Sequence, residues 1–134
     1  MSRIRDYCEQ IFVTALANPH VRRVESIRQE EDATGQIGFL RYRLTLSNGD
    51  LLELTERLEV QAGALVVTKY RHYRQDHAGR LIKRWDNAPH HPHVASFPDH
   101  LHDGAEEQVR EHPPVEALHI LTLVTQSFRP SSAV

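Results

Sequence analysis

The sequence predicts an α+β fold: an antiparallel β-meander of four to five strands with an N-terminal and a C-terminal helix packed on one face. Three observations predict it. Apolar residues recur at helical spacing at both ends of the chain, at Ile4, Tyr7, Cys8, Ile11, Phe12, Ala15 and Leu16, and again at Ala117, Ile120, Leu121, Val124 and Phe128. Between them, Leu40, Tyr42, Leu44 and Leu46 alternate strictly with Arg41, Arg43 and Thr45, the period of a half-buried strand. Short turns such as Ser47-Asn48-Gly49-Asp50 join these runs, and connections so short link only antiparallel neighbours.

In chain order, the first helix runs over 4–17 and Asn18-Pro19 ends it, since the residue before a proline is pushed out of the helical region. Val21 to Glu30 holds only Val21, Val24 and Ile27 as strong apolars and is read as a strand, because Asp32-Ala33-Thr34-Gly35 turns from it into the Leu40 strand. Beyond Asn48-Gly49, Leu52, Leu54, Leu58 and Val60 face inward, with Glu53, Thr55, Arg57 and Glu59 outward. Ala64 to Gln75 forms the next strand and Arg80 to Asp86 the last, with a turn at Asp76-His77-Ala78-Gly79. Pro113-Pro114 introduces the closing helix, over about 114–128. The reading is one domain over 1–128 with a flexible tail at 129–134.

Composition narrows the function classes. A chain of 134 residues buries enough surface to fold without staples. One cysteine, Cys8, excludes an internal disulfide and sits at an apolar helix position, which argues against a nucleophile. No apolar run reaches the roughly 18 residues of a membrane span, and Met1 to Asp6 lacks the apolar core of a signal peptide. A soluble, cytoplasmic protein is expected. Net charge is −2, so this is no bulk polycation. Yet 66–102 carries six Lys/Arg against three Asp, and 103–116 carries five acids against Arg110. Fourteen of the sixteen basic residues are arginine, whose planar fork suits phosphate and carboxylate.

The most informative stretch is 84–102, Arg-Trp-Asp-Asn-Ala-Pro-His-His-Pro-His-Val-Ala-Ser-Phe-Pro-Asp-His-Leu-His. It holds five of the ten histidines, and Pro89, Pro92 and Pro98 remove backbone donors, so neither a helix nor a central strand is expected there. Histidine is the side chain that titrates near neutrality and the commonest metal ligand. Three readings follow. In the first, Arg84 with His90, His91, His100 or His102 supplies the base, acid and cation that RNA transesterification needs. In the second, His90, His91, His93, His100 and His102 hold a divalent metal such as zinc or nickel, though the spacing matches no named zinc motif. In the third, the loop engages a protein partner without chemistry. On the last two strands, Lys69, Tyr70, Arg71, His72 and Arg80, with Trp85, form a basic and aromatic candidate surface for nucleic acid. There is no Gly-rich phosphate loop, nucleophile elbow or His-Glu-x-x-His.

Lys69-Tyr70, the Gln75-Asp76 turn with Gly79, the block Arg84-Trp85-Asp86-Asn87-Ala88-Pro89-His90-His91 and the block Phe97-Pro98-Asp99-His100-Leu101-His102 together resemble the TumE family of bacterial and archaeal toxin–antitoxin systems. Both blocks occur in order, at family-like spacing. The resemblance implies a toxin component masked by a cognate antitoxin, typically a helix-turn-helix protein from a neighbouring gene; action on RNA is the reading that the general habit of such toxins and the residues here support. It carries Arg84, Asp86, Asn87, His90, His91, His100 and His102 over as motif positions. The family's Tyr-His order on the preceding strand is replaced here by His72-Tyr73, which sends the imidazole to the opposite face.

Overall fold

A computed structural model describes residues 2–128; the expected tail at 129–134 lies outside the described residues. Helix α1 (Arg3–Ala17) is followed by strands β1 (Val21–Glu31), β2 (Ile37–Leu46), β3 (Leu51–Gln61), β4 (Ala64–Gln75), β5 (Leu81–Asp86), β6 (His100–Asp103) and β7 (Val109–Glu111), then helix α2 (Ala117–Ser127). The strands form one sheet in sequence order, every neighbouring pair antiparallel. The meander is as expected, but it has seven strands, not four or five. Arg80 to Asp86 is not the last of them, and the second helix begins at Ala117 rather than near 114.

Each end of the sheet's cover is set locally. Ser2 caps α1 by accepting from Arg5 N at 3.1 Å. Ile4, Cys8, Ile11 and Ala15 form its buried stripe. The helix comes close to the sheet at Gly38, where a Cβ would stand 2.6 Å from Ile4 Cγ2; only glycine admits that approach. Gly49, at φ +90°, makes the β2–β3 turn. The alternating residues Leu40, Tyr42, Leu44 and Leu46 meet Leu52, Leu54 and Leu58 in a core completed by Ile11, Ile120, Leu121 and Val124.

One polar group sits inside that core. Glu56, fully buried on β3, accepts from Tyr7 Oη at 2.6 Å and from Ala117 N at 2.8 Å. The second bond matters because Glu116, the cap residue of α2, makes no side-chain cap bond. A helix start leaves its first N–H groups unpaired and partly positive, so a β3 carboxylate supplies the cap and ties both helices to one strand. Beside it, His72 is also fully buried. Its Nδ1 accepts from Thr55 N at 3.2 Å, while its Nε2 stands 3.3 Å from Glu56 but out of line for a hydrogen bond.

Candidate functional site

The helices leave one face of the sheet uncovered, and strand register arranges its side chains in rows. Pairing sets Arg41, Thr55, Arg71, Asp86 and His100 in one row, one residue from each of β2 to β6. The next row is Arg43, Glu53, Tyr73, Arg84 and His102. The two motif blocks thus become neighbours: Asp86 opposes His100 and Arg84 opposes His102. The end of β5 is the strand expected up to Asp86, but the stretch expected to carry no central strand also supplies all of β6, because its prolines are confined to residues 87–99 between the two. Two residues manage that departure. Asn87 takes Tyr70 N on its Oδ1 and gives its Nδ2 to Thr68 O, both at 3.1 Å, replacing a backbone rung. Asp86 Oδ1 accepts from Ala88 N at 3.1 Å.

His91 returns from this loop over β6, and His91, His100 and His102 bring one ligand-competent atom each within 4.8 Å of one another. His100 and His102 are 2% and 3% exposed, and His91 is half-buried. His100 Nδ1 lies 2.8 Å from Pro98 O and His102 Nδ1 lies 2.7 Å from Glu106 O. A carbonyl only accepts, so each ring carries a proton on Nδ1. Both Nε2 atoms therefore face the centre, 3.1 Å apart. Asp86 Oδ1 is 3.0 Å from His100 Nε2, and Arg84 Nη2 is 3.1 Å from His102 Nε2. Arg84 also reaches Asp86 Oδ2 at 3.2 Å and pairs with Glu106. Desolvation, then the neighbouring His100, His102 and His93, lower the pKa of His91. The hydrogen bond from Arg84 holds Glu106 below the usual carboxylate range.

A groove of about 710 Å³ opens over this centre, with Phe39, Arg57, Lys69 and Arg71 on its far wall. Arg57 pairs with Glu59, while Lys69 and Arg71 make no ion pair among the described residues. Of the residues singled out in the sequence, Lys69, Tyr70, Arg71, Arg84, Asp86, Asn87, His90, His91, His100 and His102 line this groove. His90 and His93 are exposed and stand outside the three-histidine cluster.

The structure does not bring Trp85, His72 or Arg80 to this groove, and it spends the Tyr70 hydroxyl elsewhere. Trp85, between outward-facing Arg84 and Asp86, is 4% exposed and points to the helix side, perpendicular to His112. His72 opposes Trp85 and is buried with it. The Tyr70 hydroxyl is committed to Asp99 at 2.6 Å, and burial, then that bond, raise its pKa. Arg80 lies in the β4–β5 turn, tied to Asp76 at 2.9 Å. Alternation separates Trp85 from Arg84 and Asp86, and it separates His72 from Arg71 and Tyr73 as the sequence already indicated. The contribution of Glu106 had no such signal, since its place depends on the β6–β7 turn. Two of the five acids of the 103–116 segment are likewise spent internally, Glu106 on Arg84 and Asp103 on Arg110 and Lys83. No helix is long and apolar enough to cross a membrane among the described residues.

No curated protein and no solved structure matches the chain. The family model described as Toxin TumE matches residues 11–128, a span that runs from the buried stripe of α1 to the end of α2 and includes both motif blocks. The chain belongs to the TumE family of toxins.

Proposed function

We propose that this protein is the toxin of a toxin–antitoxin pair and that it cleaves RNA at the histidine centre of the uncovered face. The observation that carries this reading is the convergence of Arg84, His91, His100 and His102 at one end of a groove whose far wall presents Arg57, Lys69 and Arg71. Cleavage of an RNA strand by its own 2′-hydroxyl requires that hydroxyl to be activated, the phosphate's charge to be met, and the leaving oxygen to receive a proton. Arginines on both walls meet the phosphate, since Arg71 has no carboxylate partner among the described residues and Arg84 lies against the imidazoles. His102, its Nδ1–H fixed by Glu106 O, takes the hydroxyl proton on Nε2, and His91, lining the groove, gives a proton to the leaving oxygen. A cognate antitoxin, in this reading a helix-turn-helix protein from a neighbouring gene, silences the toxin by covering this groove.

The test is an end-labelled single-stranded RNA incubated with the purified chain. Cleavage should leave a 2′,3′-cyclic phosphate, fail where a 2′-deoxynucleotide stands at the scissile position, and be lost in Arg84→Lys and His91→Ala. Arg84→Lys keeps the charge and removes the fork. Growth arrest by expressed protein that leaves RNA intact would replace cleavage with the reading in which the loop only binds a partner.

A further inference from the structure

We infer that the His91–His100–His102 centre is a binding site for one divalent transition-metal cation, with a fourth position open to the groove. The inference rests on the RNA-cleaving reading for the cation's use and on geometry alone for its binding.

Distances come first. Nitrogen ligands about 2.0–2.1 Å from a tetrahedral ion stand about 3.3 Å from one another, and the two Nε2 atoms are 3.1 Å apart. Imidazoles sharing such an ion have ring centroids about 5 Å apart; the three rings here are separated by 4.8, 4.9 and 5.4 Å and turned 68–74° from one another. Tautomers come next. Ligating histidines commonly donate their other N–H to a carbonyl or carboxylate, which fixes the ring and raises its basicity. Pro98 O and Glu106 O already do this for His100 and His102. The two Nε2 atoms are 3.1 Å apart, and Arg84 Nη2 stands 3.1 Å from His102 Nε2, whose lone pair accepts from it. A cation would take that lone pair. Arg84 keeps Asp86 and Glu106 as partners and releases one N–H pair towards the groove. The two carboxylates offset the added charge, and Asp86 lies 3.0 Å from His100 Nε2.

Donor chemistry selects the ion. Imidazole nitrogens suit zinc, nickel, cobalt or iron, while magnesium and calcium prefer all-oxygen sites. Three protein ligands, all of them lining the groove, match the open arrangement of working sites rather than the closed four-ligand set of structural ones.

The experiment uses the full chain, stripped with chelator and titrated with zinc chloride, and reads metal content after gel filtration together with the cobalt(II) absorption spectrum. The wild type should retain about one equivalent, give a tetrahedral cobalt spectrum and ignore magnesium. His91→Ala, at a half-buried loop position that folding does not depend on, should weaken zinc at least about tenfold, whereas His119→Ala on the outer surface of α2 should not. Stripped wild type that retains no zinc, or His91→Ala that holds it as tightly as wild type, overturns the site. Zinc held through His91 by a protein that cuts no RNA supports the site and overturns the proposed function. RNA cut at full rate by protein that takes up no zinc overturns the site and keeps that function.

Discussion

Glu56 offers the sharpest test of how the fold is held. It is fully buried and accepts the Tyr7 hydroxyl of α1 and the first N–H of α2. Hydrogen bonds to a charged group contribute about 1.5–3 kcal/mol each, and a donor stranded without water adds its own desolvation cost. Glu56→Ala strands Tyr7 Oη and Ala117 N together and leaves His72 Nε2 facing a void. About 3–5 kcal/mol of stability should be lost, as when one partner of a buried charged contact is removed. For a domain this size, about 3–5 °C accompany each kcal/mol, so Tm should fall by about 10–20 °C. Urea denaturation can follow this through Trp85, the single tryptophan, which is buried. Tyr7→Phe removes one donor and should cost about 1–2 kcal/mol. The double variant should fall short of the sum by about 1 kcal/mol or more, because the two positions share one bond. A Glu56→Ala loss under about 1 kcal/mol, or strict additivity with Tyr7→Phe, would refute the idea that this carboxylate fastens both helices.

Other outcomes follow from the same structure. Cys8 is fully buried and desolvation pushes its thiol up to about 11, so alkylation by iodoacetamide should proceed only as fast as the native state opens. Gly38→Ala should lose about 1–3 kcal/mol in urea titrations, because the new methyl meets Ile4 Cγ2 at 2.6 Å. Asn87→Ala should speed amide exchange at Tyr70, whose N–H bonds to the Asn87 side chain, with little change at Leu54 in the core. If RNA lies along the far wall, replacing Lys69 and Arg71 with glutamine should flatten the log Kd against log salt plot by about 1.4, two phosphates at about 0.7 each on a single strand. An unchanged slope would place the strand elsewhere.

The two helices and the first five strands were legible because each carries its own pattern or follows a readable turn. The Leu40–Leu46 alternation and Asn48-Gly49 needed no partner to be read. Even β1, with three apolar residues, followed from the turn after it. β6 and β7 were not legible. β6 is only four residues long and has one apolar side chain, Leu101, facing the core, so alternation has almost nothing to act on. Its place is dictated by pairing with β5 across thirteen intervening residues. The site shows the same division. The motif blocks supplied Arg84, Asp86, His91, His100 and His102, but their burial did not follow from them. Residues expected on an exposed loop turn out to be nearly inaccessible, so alanine at His100 or His102 will disturb folding as well as chemistry.

An open sheet of seven strands has two edges, and each is a template on which another chain can pair. Here both are blunted. β1 presents Arg22, Arg23, Glu25, Arg28, Glu30 and Glu31 and breaks register with β2 near Val21 and again near Ser26. β7 offers only Val109 to Glu111 before His112-Pro113-Pro114 withdraws the backbone donors. Charge, irregular register and short length are the devices that keep sheets from adding strands indefinitely. The chain can therefore leave one broad face of its sheet uncovered without inviting its own copies to zip alongside. A partner that seeks it must settle over a face, where side chains rather than backbone decide what is recognised.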